Sequence, residues 1–386
     1  MAKIPTTGKV TIGDIAAEWQ GPKDLAELSK KLPLNMSGTE QVGIDDFRGK
    51  EKPNLFTQAT GGTITTDGDY KYHTFTSNGT FTVTLVPDPT FADSWAPEAA
   101  DIQVLMIGGG SGGRGGSGVG PSGGGGGGAG GMREETITSS VGSKAVVIGA
   151  GGSADAKATI TTVAGLVTAY EGGLAGGHNQ AGERGASGGG GGGRLDIMGT
   201  LQPAKPGGPN YDNVPDQGNR GGTASTASGG GGGGAGGNGG GTNGGAGRVA
   251  IINGTTYCGG GGGSGAAGGS GGGGSGSTGA GNAATNYGSG GGGGRSSHSG
   301  TDGKGYQGLV IFKYRYKDDG KRLKSDQNIF DHAPAIEESP DYNPSTHKAV
   351  LNMIDDPTQE TIGWTVVELT DEEKAAYAKA LEEMEE

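Results

Sequence analysis

Aromatic side chains make up only 5% of this 386-residue chain and hydrophobic ones 31%, so no large conventional core is available. Stability must come instead from backbone hydrogen bonding and from association. A single cysteine, Cys258, has no intrachain partner, and there is no CxxC or Cys/His cluster. A disulfide framework and a structural zinc site are therefore excluded, and Cys258 reads as a small buried residue. No apolar run reaches the roughly eighteen residues of a membrane span, and the opening MAKIPTTGK has no signal-peptide core. The expectation is a soluble protein made in a cytoplasm, without export signal or membrane insertion. Basic surface is lacking too. Residues 318–386 hold 18 acidic and 6 basic residues, which accounts for the whole net charge of -12, while the 23 acidic and 23 basic residues before them cancel. A neutral body with an acidic tail has no nucleic-acid footprint.

What is abundant is glycine, 92 residues of it, gathered into blocks at 108–131, 188–193, 229–247, 259–276 and 288–294. Such blocks suit neither α-helix nor ordinary sheet, because glycine loses the most backbone entropy on folding and offers no side chain to bury. They are either disordered linker or extended polyproline-II helices packed side by side at a distance only glycine permits. Short apolar strands at 102–107, 144–148, 248–252 and 309–316 enter and leave the blocks, which favours the ordered reading and one domain. As a single polyproline-II helix, an eighteen-residue block would span about 55 Å. The fold class is thus mainly β with a glycine-rich polyproline-II helix bundle, flanked by small α/β modules at both ends.

The N-terminal module spans 1–50, with Asp14 capping a short helix from Ile15 to Trp19 and Leu25, Leu28 and Leu32 at helical spacing. The glycine-rich β/polyproline-II domain covers 51–316. Its opening stretch, YKYHTF, then Asn78-Gly79, then TFTVTLV, predicts a β-hairpin with a type I′ turn. Residues 317–340 read as a linker. An acidic C-terminal module follows at 341–386, with a strand in GWTVVEL and a terminal helix behind a Thr370/Glu373 capping box.

Little in the chain carries chemistry. Chance GxGxxG and GxSxG matches inside glycine blocks lack the strand, helix and downstream acid of a dinucleotide site, and there is no GxxxxGK[ST]. Asp67 and Asp69 in TDGD read as a turn rather than calcium ligands, since the other positions of a calcium loop are missing. The acidic residues between blocks form no glycosidase pair. The five histidines, His73 among them, show no ligand spacing and read as surface polarity. No catalytic residue, metal or cofactor is expected.

Two stretches carry a family resemblance. GKVTIGDIAAEWQG, continuing to IDDFRGK, resembles the opening module of tailed-bacteriophage fibre and structural proteins, with Trp19 in the aromatic position and Phe47 and Arg48 in the closing pattern. GGTITTDGDYKYHTFTSNGTFTV, DIQVLMIGGGSGG, KAVVIGAGG and GLVIFKY together resemble the glycine-rich domain of phage tail-fibre adhesins. The resemblance covers roughly 1–316 and implies a virion protein at a fibre or tail tip, synthesised in the host cytoplasm, with other tail or fibre proteins as partners. Ile15, Trp19, Phe47 and Arg48 would then serve virion attachment. It also suggests a homotrimer, although a compact bundle of glycine helices can be a monomer. The acidic segment 317–386 departs from the pattern and leaves open a purely structural role in a collar, baseplate or capsid fibre; a glycine-rich ice-binding or cell-wall protein is a third reading, in which the N-terminal module has no place. Under the adhesin reading, the segments between blocks present His178, Asn179, Asn210, Tyr211, Asp212, Asn213, Asn286, Tyr287, Arg295 and His298 to a host surface glycan or outer-membrane protein. The plainer reading makes these segments turns.

Overall fold

In the computed structural model, residues 56–87, 100–116, 122–153, 156–193, 206–209, 217–225, 227–295 and 303–316 are described, together with the backbone of four short strands after residue 334 and Thr370. The chain divides into two compact units, Met1–Lys317 and Asp318–Glu386. Among the described residues the structure is mainly β, with no α-helix. The expected N-terminal helices, Ile15, Trp19, Phe47 and Arg48, and the helix after Thr370 lie outside the described residues.

The first unit is built on two antiparallel sheets. One has the order β1 (Gln58–Thr60), β4 (Gly79–Leu85), β7 (Gly142–Val147), β8 (Thr162–Val163). The other runs β2 (Thr63–Asp67), β3 (Tyr70–Phe75), β11 (Leu309–Arg315), β5 (Asp101–Ile107), β6 (Met132–Thr138). Two further strands, β9 (Arg248–Val249) and β10 (Thr256–Tyr257), form a small hairpin. Strands β5 and β11 lie side by side within the five-stranded sheet and are apolar along most of their length because both of their faces are covered. On one face Ile102, Val104, Met106, Val310, Phe312 and Tyr314 join Phe75, Phe81 and Val83 between the sheets. On the other, Leu105, Ile107, Leu309 and Ile311 join Ala129, Met132, Ile252 and Cys258 of the glycine-rich body. Cys258 is fully buried with its thiol pushed up to about 12 by desolvation.

The Asn78-Gly79 hairpin does not form. β3 pairs with β2 and β11, whereas β4 pairs with β1 and β7, so the chain crosses from one sheet to the other at 76–78. Neither Asn78 nor Gly79 has the positive φ a type I′ turn needs. Burial decides it: Phe75 and Phe81 flank the crossing and both enter the core between the sheets, while Asn78 Oδ1 accepts the Ile148 amide 2.8 Å away. The tight hairpin lies earlier, where Gly68, at φ 54, and Asp69 join β2 to β3 as the turn read from TDGD. Before it, Gly61 and Gly62, at φ 106 and 63, take the chain from β1 in one sheet to β2 in the other.

His73 corrects the surface reading of the histidines. It is fully buried, its Nδ1–H donating to Gly61 O at 2.7 Å and its Nε2 accepting from the Tyr314 hydroxyl at 3.0 Å, which in turn accepts the Ala59 amide at 3.1 Å. The Phe81 ring lies edge-on at 5.2 Å. Desolvation, reinforced by Lys71 on the same strand, lowers the His73 pKa below 6.5 despite the Gly61 contact. The native state then binds fewer protons than the unfolded chain at mildly acidic pH. Stability is complete above about pH 6.5 and falls as pH drops from there toward the native pKa. Urea unfolding at pH 7.5 and 5.5 should show this loss, and His73→Gln should remove the His73 share of it; an unchanged pH dependence in that variant would exclude the relay.

Between β5 and β6 the chain enters a close-packed body of glycine segments. Segment 122–131 is buried throughout and sits at its centre. Its amides point to three neighbours in rotation: Gly124, Gly127 and Gly130 donate to Gly294, Gly291 and Gly288; Gly125, Gly128 and Gly131 to Gly176, Gly173 and Tyr170; Gly126 and Ala129 to Gly230 and Gly233. Its carbonyls accept from three others, through the amides of Gly108, Ser111 and Arg114, of Ser187, Gly190 and Gly193, and of Gly261 and Ser264. Six segments therefore ring the central one, and they bond to each other around the ring, as in Gly291 to Ser111, Gly172 to Gly109, Gly173 to Ser187, Gly230 to Gly191, Gly232 to Gly261 and Gly290 to Gly259. Every third residue faces the same neighbour. A Cβ at Gly126, Gly127 or Gly128 would stand well inside 3.0 Å of the backbone oxygens of Gly261, Ser111 and Ser187. Ala129 is tolerated because its methyl lies in the apolar cluster under the sheet.

The long rod expected of an eighteen-residue block is not what forms. Block 229–247 folds back at Gly234 and Gly237, and block 259–276 turns where the Ala266 amide bonds Gly263 O. Folding back lets one block supply several members of the array, so amides find carbonyl partners within a compact body.

In the second unit, β12 (Ala335–Ile336) pairs in parallel with β14 (Thr361–Ile362), and β13 (His347–Leu351) pairs antiparallel with β15 (Trp364–Glu368). β12 falls within the stretch read as linker.

Candidate functional site

The glycine array has two chemically different ends. Strands β5, β6 and β11 join it at one end, where Gly108 bonds Gly131 and the Gly308 amide bonds Gly149 O. Toward the other, distal end stand Ser122 of the central segment and, on its six neighbours, Arg114, His178, Gly193, Ser228, Ser264 and Arg295. The levels follow from the bonding: Gly193 and Ser264 donate to Gly123 and Gly124, and Gly294 accepts from both Gly116 and Gly124.

Three site residues read from the sequence come together here. His178 and Asn179 form a turn closed by the Gln180 amide on Gly177 O at 3.0 Å, with Asn179 at φ 56. That conformation is one asparagine tolerates better than most residues. Arg295 reaches across the end of the array, its guanidinium donating to Ser228 Oγ at 3.2 Å. The His178 Nδ1, Asn179 Oδ1 and Arg295 Nε atoms are buried without hydrogen-bond partners. A polar atom so placed carries a desolvation penalty of about 1–3 kcal/mol, which a ligand group or water would relieve. Sequence reasoning missed Arg114, which donates to Gln180 Oε1 at 2.9 Å and braces the His178 turn. Its signal was present: Arg114 is the one charged residue in the block 108–131. No acidic residue stands among the described ring-end residues.

Asn286 and Tyr287 are placed at the other end. Asn286 Nδ2 donates to Thr256 O at 3.0 Å, its Oδ1 accepts the Tyr287 amide, and Tyr287 packs against the cluster beneath the five-stranded sheet. Asn210, Tyr211, Asp212, Asn213 and His298 lie outside the described residues.

A sheet pair continuous with a glycine-dominated body defines the class, and the comparison with known families agrees. The glycine-rich domain family matches residues 76–315, and the chain belongs to that family. No curated protein matches it.

Proposed function

We propose that this is a bacteriophage tail-fibre or tail-tip protein that attaches to the host surface through the distal end of a polyproline-II bundle. The three-residue rotation of amide donors supports the polyproline-II reading, since that helix has three residues per turn and no internal hydrogen bonds. In this reading small α/β modules flank the bundle, residues 1–50 bind other virion proteins through Ile15, Trp19, Phe47 and Arg48, and the protein resides in the virion, as a homotrimer or a monomer. It carries no catalytic centre and no cofactor. A host surface glycan or outer-membrane protein is the receptor.

The observation that carries the reading is the gathering, at one end of a body whose core amides are bonded to neighbouring carbonyls, of polar side chains whose buried atoms have no partner. A rigid frame holds such groups at little entropic penalty on binding. The test is adsorption of the purified full chain to intact host cells and its competition with phage. His178→Ala combined with Asn179→Gly, which keeps the positive-φ turn, should weaken adsorption about tenfold, or about 1.4 kcal/mol, with the melting temperature unchanged. Saturable binding that ignores these changes would remove the distal end from consideration. One observation favours a second reading: the chain continues past β11 into a separate unit, Asp318–Glu386, which suits an internal structural component of the virion. Such a component would neither bind cells nor block phage.

A further inference from the structure

An open sheet edge presents unpaired amides and carbonyls to any chain that can pair with them. Among the described residues, three of the four edges of the two larger sheets are blunted. β1 is three residues long with a register shift between Gln58 and Ala59, and β8 is two residues long, the chain before it bridged at Thr161 to Ala169. β6 carries Arg133, Glu134 and Glu135 and is covered: the Met132 amide donates to Gln217 O at 3.2 Å, Met132 O accepts from the Arg248 guanidinium, and Glu134 Oε1 accepts the Ile252 amide at 3.1 Å. β2 has none of these protections. Its five residues, Thr-Ile-Thr-Thr-Asp, are all exposed, pair with β3 in unbroken register from Thr63 to Asp67, and include no lysine, proline or bulge. Ile64 is 48% exposed.

The backbone groups on offer follow from the turn. A two-residue hairpin closes on a bonded pair, here Asp67 and Tyr70, and bonded pairs then alternate along the ladder. Thr63, Thr65 and Asp67 therefore direct their amides and carbonyls to β3, while Ile64 and Thr66 direct theirs to the open edge. We infer that a second copy of this chain pairs with this edge, β2 against β2, antiparallel about Thr65. That register uses all five residues of the strand. Ile64 exchanges both backbone bonds with Thr66 of the second copy, and Thr66 does so with its Ile64, while Thr65 faces Thr65 and Asp67 faces Thr63. Charge favours this orientation. Antiparallel pairing keeps the two Asp67 carboxylates at opposite ends, whereas a parallel copy in register would set them against each other. Threonine and isoleucine suit the pleat of both strands, and each Ile64 gains a Thr66 as its neighbour. The central glycine segment already finds its neighbours within one chain, so the array leaves nothing for a second copy to complete; the sheet edge does. An isologous contact closes at two copies, so it joins monomers into a dimer and builds no trimer. The pairing does not depend on the host-attachment reading.

Analytical ultracentrifugation of the full chain over a concentration series tests this. Contact through one strand is small, so a reversible monomer–dimer equilibrium is expected, with the dimer filling at the upper concentrations. Thr65→Lys sets like charges face to face and should raise the dissociation constant at least about tenfold, as should Thr65→Glu, with melting temperatures unchanged. An equimolar mixture of the two should restore the dimer as a heterodimer. Thr66→Pro, which removes an outward amide and spares the bonds to β3, should also weaken it. Val141→Lys, which charges a 65% exposed apolar side chain between β6 and β7, should change nothing. A chain that is monomeric at every concentration, a trimer, a dimer indifferent to the Thr65 and Thr66 changes, or a Lys/Glu mixture that stays dissociated would each overturn the pairing. Association lost with Val141→Lys instead would assign it to the apolar surface and likewise overturn it.

Discussion

Gly127→Ala is expected to destabilise the first unit by more than about 3 kcal/mol, at the upper end for a single overpacking change. The added methyl would sit well inside 3.0 Å of the Ser111 and Gly112 backbone oxygens. Neither can rotate away, because both belong to the adjacent segment whose amides bond the central one. Moving that segment breaks the Ser111 to Gly128 and Gly291 to Ser111 pairs, and each buried group left unpaired adds about 1–3 kcal/mol. A matched control lies on the surface: at Gly241 an added Cβ meets nothing within 4 Å and φ is not left-handed. There alanine should be neutral or stabilising by up to about 1 kcal/mol through the unfolded chain. Urea unfolding of both variants separates the cases. Equal effects would mean that the array is not close-packed at its centre.

Phe312→Ala should remove about 3–5 kcal/mol. Phe312 is fully buried on β11, its ring stacked on Phe81 of the opposite sheet with centres 3.9 Å apart and planes 3° from parallel, and Phe75 lies edge-on at 5.9 Å. Truncation takes away contacts with both sheets at once. Phe312→Leu keeps most of the volume and should lose clearly less. Because β11 also sends Leu309 and Ile311 into the cluster under the glycine array, sheets and array should melt together, and the Phe312→Ala transition should stay single by near-ultraviolet circular dichroism and by hydrogen exchange. Two separated transitions would show that the array stands without the sandwich.

Much of the strand content was legible. The runs DIQVLMI and LVIFKYR are apolar on both faces and formed β5 and β11, and the apolar segments bracketing glycine blocks became the frame that feeds the array. TDGD gave its turn. Asn78-Gly79 misled because turn propensity is worth less than burying Phe75 and Phe81 between two sheets, which requires a crossing rather than a hairpin. The histidines misled for a related reason: spacing along the chain says nothing of which histidine a fold encloses, and the His73 site depends on the approach of Tyr314, 241 residues away. At the candidate site, His178, Asn179 and Arg295 were readable as polar interruptions of glycine runs, whereas Arg114, standing alone inside one, was passed over.

The sequence by itself determined that this chain would be β-rich, that glycine would dominate its interior and that its cysteine would be buried, since those follow from side-chain size and backbone entropy. The tertiary structure alone decided how often each block folds back, which neighbours each segment bonds and which polar residues share an end. These depend on amide-to-carbonyl pairing among segments far apart in sequence, and glycine, having no side chain, writes no register into the chain.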